Sequence, residues 1–213
     1  MLRIKLTLLT LIISACATVS NSDVILLDSK PINAKSEKIV ENQLNETPID
    51  IWERIRRELT IKIPDDQIAA TSIYRERLYK NQSAVNRISK SGQRYLFHTL
   101  SRAQELDLPV ELALLPFVES EFDPYAKSVD GATGIWQFMP ATGKEWGLKS
   151  NWWYDGKKDV LASTEAALKF LSYLHQKFDE DWLLAMAAYN TGPTRVNRAV
   201  SYTHLTLPTT LQV

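Results

Sequence analysis

The chain is 213 residues long, enough for one sizeable globular domain with appendages. Lys plus Arg and Asp plus Glu both number 25, so no net field selects nucleic acid or an anionic membrane surface as a partner. A hydrophobic content of 45% is ordinary for a soluble fold, and composition alone names no function.

The first residues say more. Arg3 and Lys5 precede the apolar run Leu6 to Ile13, too short for a membrane-spanning helix but suited to the apolar core of a secretory signal. Ser14 and Ala15 then lead to Cys16, the only cysteine in the chain. The stretch Ile13-Ser14-Ala15-Cys16 resembles a bacterial lipobox, which implies a signal segment over 1–15, cleavage before Cys16 and lipidation of Cys16. Ala17 after the cysteine is similar to the sorting pattern that sends lipoproteins to the outer membrane of Gram-negative cells. A single acyl chain anchors weakly, so stable attachment implies several chains on this residue. Without a second cysteine there is no disulfide, and packing must hold the domain together.

Residues 16–47 are rich in Asn, Ser, Lys, Glu and Asp, with no apolar period, and read as a solvated tether. A helical region is expected over 48–108. It starts with Ile51, Trp52, Ile55 and Leu59 at helical spacing, and Pro64 ends that run. A charged stretch over 65–81 carries a sparse apolar face of Ile68, Tyr74, Leu78 and Tyr79. Ser83 is a candidate cap for one long helix in which Leu96, Leu100, Ala103 and Leu106 form the apolar stripe. Pro109 marks the next boundary, and Val110 to Val118 reads as a short, buried helix.

The segment 121–158 holds five glycines, two prolines and four tryptophans, a mixture expected of loops and short helices. Helical spacing returns with Ala167, Leu171, Leu174 and Phe178, and again with Trp182, Met186 and Tyr189, before Gly192-Pro193. Another helix begins near Thr194. Strand patterns are nearly absent, so the fold class is all-α. The last thirteen residues, Ser201 to Val213, carry no charge and no helical period. They resemble read-through of a cloning or adapter segment, which implies a domain cut short near residue 200 and no continuation of the last helix.

One carboxylate stands out chemically. Glu119 follows Leu114-Leu115-Pro116-Phe117-Val118, and apolar surroundings strip hydration from a carboxyl and favour its protonated form, as an acid catalyst needs. On these residues alone an outward-facing or ion-paired glutamate is the commoner reading, since glutamates at helix ends are frequent. Trp136, Gln137, Phe138, Trp146, Trp152, Trp153 and Tyr154 lie close in sequence and supply amides and aromatic faces of the kind that hold sugars; a small aromatic core would use the same residues. Tyr189 and Asn190 end a helix where they can either project into a cleft or cap it. His98, His175 and His204 are far apart with no companion cysteine, so no metal site and no cofactor is expected.

Three blocks then resemble the signatures of the soluble lytic transglycosylase (SLT) family: Glu119-Ser120 with Phe122-Asp123-Pro124 and Ala126; Gly131-Ala132-Thr133-Gly134-Ile135-Trp136-Gln137-Phe138-Met139-Pro140; and Ala188-Tyr189-Asn190-Thr191-Gly192. The stretch from Ile49 to Glu119 is similar to the family's membrane-bound branch D. The resemblance implies a lysozyme-like, goose-type catalytic domain over 109–200, preceded by N-terminal helices. It also implies non-hydrolytic cleavage of the β-1,4 bond between N-acetylmuramic acid and N-acetylglucosamine in peptidoglycan. Glu119 would be the single acid/base, closing a 1,6-anhydro ring. Ser120, Gln137, Tyr189, Asn190, Trp136 and Met139 match positions associated with substrate or acid placement.

The family uses no second carboxylate, a known exception to the paired arrangement. Glu121 and Asp123, the nearest candidates, are expected to serve elsewhere, Asp123 in a turn with Pro124. The chain departs from the branch at Pro193 and Thr194, and residues 1–213 hold no LysM-type repeat. The resemblance implies peptidoglycan glycan strands and a membrane reached through Cys16 as partners, with the chain monomeric on the periplasmic face of the outer membrane. A muramidase acting on the same bond with water, or a non-catalytic peptidoglycan-binding lipoprotein, would share these features. Replacing Cys16 with Ser should move the protein from the membrane to the soluble fraction on cell fractionation; unaltered membrane retention would refute the anchor.

Overall fold

A computed structural model describes residues 50–205. The expected signal segment 1–15, the expected lipidation site Cys16, the tether 16–47 and residues 206–213 lie outside the described residues. Among those described, helices follow one another with only the isolated bridges Lys127–Thr133, Thr133–Phe138 and Ser150–Asp155 between them, so the fold is all-α. None of these helices is long and apolar enough to cross a membrane.

The first helix, α1 (Ile51–Glu58), realises the expected spacing: Ile55 is fully buried, and Ile51, Trp52 and Leu59 pack against the core. Burying an isoleucine side chain stabilises by about 1.5–3 kcal/mol. Polar groups tie the same helix down. Arg54 donates to Gln104, whose amide donates in turn to Glu58. Just beyond α1, the backbone N–H groups of Thr60 and Ile61 donate to one carboxylate oxygen of the fully buried Glu111, at 2.5 and 2.7 Å.

The charged stretch is a helix, α2 (Asp65–Lys80), in which Ile68 and Tyr79 are exposed, while the side chains of Tyr74 and Leu78, the rest of the expected face, lie outside those described. The long helix expected after Ser83 is two helices, α3 (Gln82–Gly92) and α4 (Leu96–Glu105). Asn81, not Ser83, caps α3 by accepting from the Ala84 N–H, and the Ser83 hydroxyl donates to that same Asn81 oxygen. α3 ends at Gly92, where a Cβ would lie 2.4 Å from the Phe117 ring, so the close approach of that ring requires glycine. The predicted stripe of α4 is otherwise right: Leu96, Leu100 and Ala103 are buried and Leu106 packs beside them.

Val110 to Val118 is likewise not one helix. A 3₁₀ turn over Val110–Leu114 hands over to α5 (Leu115–Ser120). Pro116 has no N–H to continue an α-helical ladder from upstream, and it fits the first turn of a new helix instead. After α6 (Pro140–Glu145), the helices α7 (Val160–Lys177) and α8 (Trp182–Thr191) are capped by Asp159 and Asp181, each accepting from two backbone N–H groups. α7 is the central helix: Ala167, Leu168, Leu171 and Leu174 are fully buried, with α4 and α8 packed against it.

The last helix, α9 (Pro193–Leu205), corrects the expectation that helical structure stops near residue 200. Val196 is buried, Val200 packs against the core one turn later, and the Ser201 hydroxyl donates to the Asn197 carbonyl. Both valines precede Ser201, and the helix itself runs on past that point to Leu205.

Arg102 joins α4 to α7 through a two-pronged bond to Glu165, at 2.6 and 3.2 Å. That guanidinium holds the Glu165 carboxyl at about 2, below its ordinary 4.5. Folding lowers this pKa, so the unfolded chain binds more protons between the two values. The stabilisation is complete above about pH 4.5 and is lost as pH falls toward 2. Urea midpoints should drop across that window, and Glu165→Gln should flatten the drop; an unchanged acid profile in the variant would contradict the assignment.

Candidate functional site

Three segments separated in the chain meet around Glu119, each brought there by its own local geometry. α5 delivers Glu119 at its last turn and ends in two successive left-handed residues, Glu121 (φ 53°) and Phe122 (φ 61°). Such conformations cost non-glycine residues of order 1–3 kcal/mol each and persist only where the surroundings impose them. Here Phe122 is buried against Phe117, edge to face at 4.6 Å between centroids.

The second segment, 131–139, packs its backbone unusually close to that preceding α7. Gly134 has φ 85°, and a Cβ on it would lie 1.8 Å from the Lys157 carbonyl oxygen, so only glycine fits. The Ser120 hydroxyl donates to the Ile135 carbonyl at 2.9 Å, fastening the end of α5 to this segment. Gln137, itself left-handed at φ 49°, donates its amide to the carbonyls of Gly134 and Ala126 at 3.0 and 3.3 Å.

The third segment is the end of α8. The Tyr189 hydroxyl donates to the Trp136 carbonyl at 2.8 Å, and its ring lies against Phe138 and Phe170. Burial pushes the Tyr189 phenol well above its ordinary range, and the charge of Glu119 pushes the same way, so it stays a protonated donor. Next to it, Asn190 donates from Nδ2 to Glu119 Oε1 at 2.9 Å. The partly buried carboxylate is thus oriented by a neutral amide across 71 residues of sequence.

Hydrogen bonds tie together the segments that carry Glu119, Ser120, Gln137, Tyr189 and Asn190, with Asn190 on Glu119 itself and the Gln137 amide turned to the Gly134 and Ala126 carbonyls. The structure corrects the reading of Trp136, whose ring is fully buried and whose indole N–H donates to Thr164 at 3.0 Å. The Trp136 side chain is core, and only its carbonyl reaches the site. Met139 is exposed at the start of α6, where its carbonyl accepts from Gly143. Of the other tryptophans, Trp146 packs on Phe170 and Tyr173, whereas Trp152 and Trp153 stack on each other in solvent.

Neither neighbouring carboxylate joins Glu119. Arg87 holds Glu121 in a fork at 3.0 and 3.1 Å, and Asp123 accepts the Tyr125 N–H at 2.9 Å in the turn expected of it. The Arg87–Glu121 pair, the Trp52–Phe117 contact and the buried Glu111 were not singled out from sequence; each joins residues too distant for spacing to reveal.

An all-α domain in which one carboxylate is oriented by an amide, beside a partly buried tyrosine, is a lysozyme-like arrangement suited to acid/base work on a single bond. The chain belongs to the transglycosylase SLT domain family, which matches residues 97–207. It is 40% identical over 151 residues to the membrane-bound lytic murein transglycosylase D of Escherichia coli (strain K12), covering 71% of this chain and 33% of that protein. Over 113 residues it is 45% identical to a putative tributyltin chloride resistance protein of Alteromonas sp. (strain M-1), covering 53% and 55% of the two chains. Over 108 residues it is 31% identical to the soluble lytic murein transglycosylase of Salmonella typhimurium (strain LT2), covering 47% of this chain and 16% of that one. The chain therefore spans about a third of the length of its relative from E. coli.

Tyr189→Phe strands the Trp136 carbonyl and should cost about 1–3 kcal/mol in urea denaturation. Asn190→Ala leaves a partly exposed carboxylate that water can reach, and should cost under about 1 kcal/mol. The reverse order would contradict the geometry.

Proposed function

We propose that this chain is a lytic transglycosylase that cleaves the β-1,4 bond between N-acetylmuramic acid and N-acetylglucosamine in peptidoglycan, without water, and serves cell-wall remodelling and turnover. The observation that carries the reading is the Asn190–Glu119 hydrogen bond, with neighbouring carboxylates engaged elsewhere. Family membership and the names of the relatives support the substrate class.

In this reading Glu119 gives its proton to the glycosidic oxygen as the bond to C1 of the muramic residue breaks. The resulting carboxylate then takes the proton of the C6 hydroxyl while that oxygen attacks C1. A 1,6-anhydro ring closes, Glu119 is protonated again, and no water is consumed. Asn190 keeps the carboxyl aimed through both transfers, which is where a positioned acid/base gains its advantage. Ser120, Gln137 and Tyr189 hold the three backbone segments in register, and Met139 lies exposed where a glycan can touch it.

The proposed layout runs from a signal segment over 1–15, through lipidated Cys16 and the 16–47 tether, to the helical region 48–108 and a catalytic segment over 109–200. The thirteen residues from Ser201 are proposed to be foreign to the natural protein. The tether would place a monomeric enzyme on the periplasmic face of the outer membrane, within reach of glycan strands.

Mass spectrometry of muropeptides released from purified peptidoglycan tests the chemistry. Products lighter by one water than a hydrolase would give, and absent with Glu119→Gln, are expected; water-added products would make the enzyme a muramidase.

A further inference from the structure

The segment matched by the family begins at residue 97, yet two elements before it hold Phe117 and Glu121, two positions to either side of the acid. Phe117, two residues ahead of Glu119, sits in a socket. Trp52 of α1 lies against its ring at 5.7 Å between centroids, and Phe122 closes the far side. At Gly92, the end of α3, the ring approaches so closely that no Cβ could be accommodated. Glu121, two residues beyond the acid, is held by the Arg87 fork, also from α3. The residues on either side of Glu119 are therefore fixed by α1 and α3.

We propose that α1 and α3 form a two-point clamp that sets the orientation of Glu119, with Arg87, Gly92 and Trp52 as positioning residues supplied from outside the family segment. The clamp rests on the acid/base reading of Glu119 given above. Its two grips differ in kind. The aromatic socket is buried and contributes to folding as well as placement. The Arg87–Glu121 pair is largely exposed, with side-chain exposures of 63% and 43%, and pairs of that sort add little to stability. What the fork supplies is geometry: it pins a left-handed residue that would otherwise relax and swing the end of α5. A small displacement of a catalytic group from its productive position costs up to about a hundredfold in rate.

The test compares the full chain with Arg87→Met, Arg87→Lys and Gly92→Ala. Arg87→Met should lower kcat for anhydro-product release about tenfold, with KM and melting temperature close to wild type. Arg87→Lys keeps the charge without the fork and should recover only part of the loss. Gly92→Ala suits a helix better but displaces Phe117, so it should lower kcat more than it lowers the melting temperature. The Asn190 side-chain amide resonances in ¹⁵N–¹H spectra report its bond to Glu119 without any turnover, and they should shift in Arg87→Met. Wild-type kcat in Arg87→Met, a rate loss that merely tracks unfolding, or unmoved Asn190 resonances would each overturn the clamp. A wild-type chain that yields no anhydro product would instead remove the transglycosylase reading, and the Asn190 spectra would still decide whether α3 orients Glu119.

Discussion

The helix that carries Glu119 is six residues long, and a helix of that length cannot hold itself together in water. Nucleating a turn fixes several dihedrals for one hydrogen bond, so α5 exists only because its neighbours impose it. Phe117 and Phe122 bury the apolar side of the turn, Ser120 is fastened to Ile135, and Asn190 reaches across to the carboxylate. Two left-handed residues immediately follow the acid, and the burial of Phe122 offsets part of their strain. The direction in which Glu119 points is therefore a property of tertiary packing. Local sequence supplies the carboxylate and the apolar run, and the other segments supply its aim.

That division explains what could be read in advance. The stripes Leu96-Leu100-Ala103 and Ala167-Leu171-Leu174 are buried as expected, because one-sided burial leaves a period in the sequence itself. The joining of three distant blocks was legible through resemblance, and the contacts Tyr189–Trp136 and Asn190–Glu119 give it physical form. Less legible were features decided by one long-range partner. Trp136 reads as a sugar platform until Thr164, 28 residues away, takes its indole N–H in the core. Glu111 and Arg87 carry no local signal of the partners they find, Thr60 and Ile61 for the one and Glu121 for the other.

Breaks in regular structure followed the same logic. Nothing in the spacing from Gln82 to Leu106 announces two helices, and nothing local reveals that the Phe117 ring occupies the space a side chain on residue 92 would need. Pro116 gave a local clue to the change from 3₁₀ to α geometry, since a missing N–H is visible in sequence. At the other end, the altered composition after residue 200 suggested a stop, but Val196 and Val200 already place that turn against the core. Helix α9 carries on through Leu205.

The bonds from Thr60 and Ile61 to Glu111 also bear on the order of assembly. They span 51 and 50 residues of chain, so closing them forfeits about 1 kcal/mol more chain entropy than the neighbouring contacts within α7–α8 or between α4 and the 3₁₀ turn. Elementary polymer physics therefore has those local pairs condense first and α1 dock afterwards, onto a surface that already contains α5. On that order α1, the first of the described helices, would be among the last to settle against the core.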